Sequence, residues 1–338
     1  MGFVLASSEA ATNYTDFYVP LWVWAAFLAL IALLLGIDLF IHRRAHKISH
    51  KEAAIESAIW IACGLSFSLV ILAWQGGGAA TEYLAGYVIE KSLSVDNVFV
   101  WAVILSYFAV PSKYQHRVLF WGIFGALVLR AVFIFGGVAL LDAFDWIVYV
   151  FGALLIITAI RLLFQGDEEV HPENNPVLKV IRRIMPMSTE YDGQHLVTKQ
   201  NGVRMATPLL AVLIVVETSD VLFAVDSIPA ILAVTREEFV VFSSNAFAIL
   251  GLRALYFLLA DLKDRFEYLN EGLAVILIFV GVKLAISEFF HIPVGVSLGV
   301  IAGVLAVAIA VSWWRAEDKE EDQPDEATRA SEPADPLA

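Results

Sequence analysis

Glu90-Lys91-Ser92-Leu93-Ser94-Val95-Asp96-Asn97 interrupts one long apolar stretch of the chain, and Asp220-Val221-Leu222-Phe223-Ala224-Val225-Asp226-Ser227 interrupts another, with acids six residues apart in each. An ionised carboxylate near the middle of a bilayer costs roughly 2.5 to 3.5 kcal/mol on insertion scales, so acids held there need a partner, a proton or a bound cation. The repeated phrase is therefore the expected functional centre.

Composition supports reading the surroundings as membrane. Of 338 residues 59% are apolar and 17% charged, with a mean hydropathy of +0.74, which describes an integral membrane protein rather than a soluble domain. A helical span needs about 20 mostly apolar residues, and about nine such stretches occur, centred near Ala32, Ser66, Asp96, Val128, Ala153, Asp220, Leu250, Val280 and Val304. Backbone groups in hydrocarbon must be satisfied internally, so an all-α polytopic fold is expected. Met1 to Pro20 lacks a basic segment followed by a small-residue cleavage site, which argues against a removed signal peptide.

Lys and Arg accumulate on the cytoplasmic side of membrane proteins. The odd-numbered loops hold Arg43, Arg44, Lys47 and Lys51, then Lys113 and Arg117, then Lys179, Arg182, Arg183, Lys199 and Arg204, then Lys263 and Arg265. The even-numbered loops, Gln75 to Glu82, Leu140 to Asp145, Thr235 to Phe239 and the turn at His291, contain only Arg236. This alternation predicts an external N-terminus and a cytoplasmic C-terminus, with the two acidic phrases on helices of opposite sense. Opposed repeats near the midplane are the sequence pointer to an inverted-repeat transporter with its site at the repeat interface.

The expected organisation is an external segment over 1–19, a transmembrane domain over 20–315 with a mixed-charge cytoplasmic loop near 165–204, and a tail over 316–338. The loop contains Pro172, Pro176, Pro186 and Gly193 and is too short for an ordinary nucleotide-hydrolysing domain; the chain has no Walker-type phosphate loop. The tail carries nine acids against Lys319 and Arg329, about half of the chain's net charge of −13, and reads as disordered and solvated. No basic footprint for nucleic acid is evident. The single cysteine, Cys63, excludes an intramolecular disulfide and a multi-thiolate metal site.

The two phrases and their flanks offer Glu90, Ser92, Ser94, Asp96 and Asn97 on one helix, and Glu217, Thr218, Ser219, Asp220, Asp226 and Ser227 on the other. All are oxygen-bearing groups, which suit hard divalent cations such as magnesium, calcium and manganese, and would repel an anion. Residues six apart on a helix differ by about 240° in direction and roughly 9 Å in height, so both acids of one phrase cannot readily chelate together. The expected arrangement joins Asp96 and Asn97 to Asp226 and Ser227, leaving Glu90, Glu217 and Asp220 as a second site, proton carriers or ion-pair partners. Pro229 cannot donate to the Val225 carbonyl, which leaves an oxygen beside Asp226 for a ligand.

A purely structural alternative is an ion-pair network, because Lys91, Arg130, Arg253 and Lys283 also lie in the apolar stretches. His42, His46 and His50 recur every four residues and could bind a metal, although basic residues are expected there from orientation alone. Asp38 is expected to pair with Arg43 or Arg44. Trp22, Trp24, Trp313 and Trp314 read as interfacial anchors.

The segment Glu90 to Phe99, the segment Glu217 to Ala230 and the juncture from Asp38 to His46 resemble the TerC family, in its Alx-type branch. The resemblance runs from about Trp22 to Trp314. It implies a relative of the LysE group of exporters in the cell inner membrane, with manganese efflux as the activity and tellurium resistance as the name-giving phenotype. It carries a metal site onto Glu90, Asp96, Asn97, Glu217, Asp220, Asp226 and Ser227, and it implies neither a catalytic residue nor a resident cofactor. The partners expected are the lipid bilayer and a divalent cation, manganese before calcium or iron, with protons as counter-ions. The alternative implied is a membrane component of tellurite or redox-stress resistance, or a membrane-biogenesis factor acting through partner proteins.

Overall fold

The computed structural model describes residues 15, 17–41, 49–144, 146–164, 175–188, 191–200, 203–259, 269–287, 289–290 and 292–321. In chain order these form α1 (Leu21–Ile41), α2 (His50–Gln75), α3 (Gly77–Tyr107), α4 (Ser112–Ala143), α5 (Ile147–Phe164), α6 (Pro176–Ile184), β1 (Val197–Gln200), β2 (Val203–Ala206), α7 (Pro208–Leu232), α8 (Glu238–Leu250), α9 (Leu252–Leu259), α10 (Leu269–Ala285) and α11 (Val294–Glu321).

The fold is an all-α bundle. Six helices, α1, α2, α4, α5, α7 and α11, are long and apolar enough to cross a membrane, and α8 with α9 makes a seventh such element, bent by 40°. The remaining two expected stretches also fall in helices. However, α3 carries Glu82, Glu90, Lys91 and Asp96, and α10 has only 17 residues. Both are packed against neighbours: α3 against α2, α7, α8 and α11, and α10 against α5 and α11. Large apolar side chains face outward from the other helices, among them Leu33, Ile59, Leu69, Val132, Ile157 and Leu222, and also from α10 at Val275 and Val282.

Local chemistry sets several boundaries. Ser49 and Glu52 form a reciprocal capping box that starts α2. The α2–α3 turn is the single residue Gly76, whose φ of +86° suits glycine. Helix therefore begins at Gly77, and Glu82 sits within α3 rather than in an external loop as expected. Glu82 is buried and accepts hydrogen bonds from Thr15 N at 2.8 Å, Thr15 Oγ1 at 2.6 Å and Thr235 Oγ1 at 2.6 Å.

Two other expectations change. Trp24 is packed among Phe135, Phe239 and Phe242, with ring centroids 5.1 to 6.0 Å apart, so it belongs to the aromatic core, whereas Trp22 and Trp314 are exposed. The loop expected over 165–204 contains α6, capped by Asn175 with Pro176 at its first turn, and its last residues enter an antiparallel hairpin pairing Val197 with Ala206. Residues 1–14, 165–174 and 322–338, including most of the expected N-terminal segment and acidic tail, lie outside the described residues, while α11 continues to Glu321.

Helix direction follows from contacts. Glu82 meets Thr235 at the end of α7, and a Cβ at Gly86 would lie 3.4 Å from Ile231. At its other end Phe108 accepts from Tyr191 Oη at 2.7 Å, in the segment leading to α7. Thus α3 and α7 are antiparallel. Contacts from Gly122 to Val216 and from Gly137 to Leu232 show α4 running parallel to α7.

The tightest helix crossing is between α5 and α10, where a Cβ added to Gly152 or to Gly281 would stand 2.9 Å from the other residue's carbonyl oxygen. Small residues permit such backbone approach within membranes. Gly152→Val should therefore lower the thermal unfolding midpoint of detergent-solubilised protein, in line with an overpacking cost of about 1–3 kcal/mol. Gly36→Ala, where an added Cβ meets nothing within 4 Å, should leave that midpoint nearly unchanged.

Candidate functional site

Glu90, Asp220 and Ser227 are brought together around Arg130, a fully buried guanidinium on α4. Asp220 accepts from Nε at 3.3 Å and from Nη2 at 3.2 Å, a two-pronged pairing that fixes both groups. Arg130 Nη1 donates to Glu90 Oε1 and lies 3.2 Å from Ser227 Oγ and 3.5 Å from Asn245 Oδ1. Glu90 also accepts from Ser94 Oγ at 3.2 Å and from Asn245 Nδ2 at 3.0 Å. Four helices, α3, α4, α7 and α8, thus meet in one polar junction where two carboxylates share one guanidinium.

Lys91 serves the same junction indirectly. Its Nζ donates to Ala248 O at 3.1 Å, near the end of α8 where Gly251 breaks the helix. A cation at a helix C-terminus meets the negative end of its dipole. Ala248 is one turn beyond Asn245, so this contact steadies the helix that presents Asn245 to Glu90.

The other expected site residues are distributed around this junction. Asn97 is buried on α3, and neither polar atom of its amide has a hydrogen-bond partner among the described residues. Trp101 Nε1, one turn further on, is likewise buried without a partner among the described residues. Glu217 lies on α7 with its carboxylate against Gly125 of α4, and its Oε2 has no such partner either. Asp226 turns toward α5, where Thr158 Oγ1 donates to Oδ1 at 2.8 Å. Asp96 belongs to α3, and its side chain lies outside the described residues. Among the described residues no three His, Cys, Asp or Glu side chains form a metal-holding group.

The register differs from the expected joining of Asp96 and Asn97 to Asp226 and Ser227. Because α3 and α7 are antiparallel, Glu90 comes level with Ser227, and the Asn97 end of one phrase comes level with the Asp220 end of the other. Like ends of two opposed phrases coincide only if the turning point passes through them; here it lies between the acids.

Only part of the ion-pair alternative corresponds to this geometry. Arg130 pairs with Glu90 and Asp220, but Arg253 of α9 serves a separate cluster, reaching Asp38 Oδ1 at 2.5 Å, Glu56 Oε2 at 3.6 Å and His116 Nδ1 at 2.9 Å. Arg253 is thus a partner of Asp38 that its expected pairing with Arg43 or Arg44 had missed; those two residues lie outside the described residues. Lys283 is buried, and its Nζ has no hydrogen-bond partner among the described residues. His50 opens α2, while His42 and His46 are outside the described residues.

Residues 75–320 match the family model described as "Integral membrane protein TerC family". The chain belongs to the TerC family. Among similar TerC-like chains, an uncharacterized membrane protein of Myxococcus xanthus is 49% identical over 291 residues, covering 86% of this chain and 91% of its own. A protein of Escherichia coli named "Putative membrane-bound redox modulator Alx" is 46% identical over 302 residues, covering 86% and 94%. An uncharacterized membrane protein of Rickettsia felis is 39% identical over 276 residues, covering 81% and 92%. No solved structure matches.

Asn245 and Thr158 were not singled out from sequence. The run Ser243-Ser244-Asn245 in an otherwise apolar stretch was a usable signal for the first; Thr158, alone among apolar residues, had none. Arg130 was recognised only as one of four cations, since its central place depends on which helices adjoin α4.

Removing one partner of a buried ion pair costs about 3–5 kcal/mol. Arg130→Met should accordingly lower the thermal midpoint sharply. The double variant Arg130→Met with Asp220→Asn should lose less than Arg130→Met alone, because one of the two stranded carboxylates is gone; a double-mutant cycle in detergent measures this coupling.

Proposed function

We propose that this TerC protein exports divalent metal cations across the cell inner membrane, with manganese as cargo and calcium and iron as the other oxygen-seeking candidates. The observation that carries the reading is the excess of carboxylate over cation where α3, α4, α7 and α8 meet: Glu90, Asp220 and Glu217 face Arg130 and Lys91, formally one negative charge, inside a membrane bundle. Such a charge needs a mobile cation or a proton for balance. Asn97, Asp96, Asp226 and Ser227 supply further oxygens along the same two helices. All are hard ligands, the class that manganese shares with calcium and magnesium.

The reading includes nine spans, an external N-terminus, a cytoplasmic C-terminus and an inverted repeat centred on α3 and α7. The antiparallel course of those two helices, with an acidic phrase on each, supports the repeat. Export against a gradient then draws on the membrane potential or on a counter-ion, and protons carried inward on the buried acids are the proposed counter-ion. Neither a catalytic residue nor a resident cofactor enters this reading.

The names of several relatives favour a second reading, a redox-modulating component that acts through partner proteins. With one cysteine in the chain, half-buried Cys63 on α2, thiol exchange would have to involve a second molecule.

Cellular manganese separates the two. In cells lacking other manganese exporters, the wild type should lower manganese content severalfold, and Asn97→Ala and Asp226→Asn should abolish most of that effect at equal membrane abundance. Unchanged manganese on wild-type expression would end the exporter reading. Proton coupling is tested in vesicles at fixed potential, where an imposed pH gradient should accelerate manganese flux; indifference to the gradient removes protons as counter-ions.

A further inference from the structure

Of the oxygens that a cation would need at Glu90 and Asp220, Arg130 holds both of Asp220 and Oε1 of Glu90, while Glu90 Oε2 accepts from Asn245. A guanidinium and a divalent ion cannot use the same lone pairs, and their like charges repel at contact distance. The backbone of α4 is packed along α7 and against α8, so clearing the site falls to the side chain of Arg130.

An acceptor for the displaced guanidinium lies in the same groove. Glu217 precedes Asp220 by three residues on α7, which places the two on neighbouring parts of the helix surface. Its carboxylate lodges against Gly125 of α4, where an added Cβ would collide with both oxygens. Gly125 precedes Arg130 by five residues on the same helix, about 7.5 Å along the axis, a distance a long side chain can span. Glu217 Oε2 is buried with no hydrogen-bond partner among the described residues.

We propose that Arg130 is a tethered substitute for the transported cation: it exchanges between two acceptor sets, Glu90 with Asp220 and Glu217, moving to Glu217 when a divalent cation takes Glu90 and Asp220. The inference rests on the cation-export reading above. Glu217 then acts through Arg130 as a positioning residue and is not a ligand of the ion. Return of Arg130 as the ion departs spares the bundle two bare carboxylates. The exchange also discriminates by charge, because sodium or potassium brings no more charge than the guanidinium it must displace, whereas a divalent ion brings twice as much.

The test is manganese binding to the purified full-length protein in lipid nanodiscs, measured by equilibrium dialysis together with electron paramagnetic resonance of the bound Mn2+. Glu217→Gln removes the receiving charge, and Gly125→Ala turns the Glu217 carboxylate aside while keeping every charge. Both should weaken Mn2+ binding at least tenfold. At saturation the spectrum of bound Mn2+ in Glu217→Gln should equal that of the wild type, whereas Glu90→Gln should change it. Wild-type affinity in both variants, or an altered spectrum in Glu217→Gln, overturns the exchange while leaving the cation reading in place. Absence of Mn2+ binding by the wild type removes the cation reading and this inference with it.

Discussion

The Arg130 guanidinium, enclosed by four helices, has to be answered by carboxylates, and those carboxylates come from the two acidic phrases. Glu90 on α3 and Asp220 on α7 are far apart in sequence and belong to helices of opposite direction, yet one planar donor group spans both. The desolvation of three charges makes this junction stable only as a complete set. Asn245, Ser94 and Ser227 complete the hydrogen bonding around it, which is why α8 is held where its broken end can take Lys91. The packing of α3, α4, α7 and α8 is thus coupled to one electrostatic constraint.

Around that centre the helices divide by chemistry. Those with long apolar windows, such as α1, α2 and α11, leave broad apolar faces on the outside of the bundle. The helix with the first acidic phrase, α3, is enclosed by its neighbours, as a charged span must be in lipid. Glycine on α4 sets how closely α7 approaches: Gly122, Gly125 and Gly137 face Val216, Glu217 and Leu232. The notch at Gly125 accommodates a carboxylate, so small size here has a chemical use as well as a packing one.

Much of the site was legible because membrane burial makes acids conspicuous. Glu90, Asp220 and Ser227 could be named from the spacing of two phrases, and Arg130 from its place in an apolar stretch. Their mutual arrangement was not legible. A sequence phrase fixes height and direction within its own helix, but two opposed helices can be offset along their axes, and each offset pairs different residues. The expected convergence of like ends needed one offset; the contacts between Glu82 and Thr235 and between Gly86 and Ile231 set another. Asp38 shows the same limit. Nearby Arg43 and Arg44 looked like its partners, while Arg253, far along the chain, supplies an ion pair through the docking of α9.

Sequence by itself determined that the chain is a helical membrane protein, where its long apolar helices are centred, and which polar groups are too costly to bury without compensation. Those properties depend on composition and on spacing along one helix. Tertiary structure decided which groups compensate one another: Arg130 with Glu90 and Asp220, Asp226 with Thr158, Arg253 with Asp38. The physical reason is that helix hydrogen bonding is local, whereas the partner of a buried charge is whatever group helix packing brings within about 3 Å.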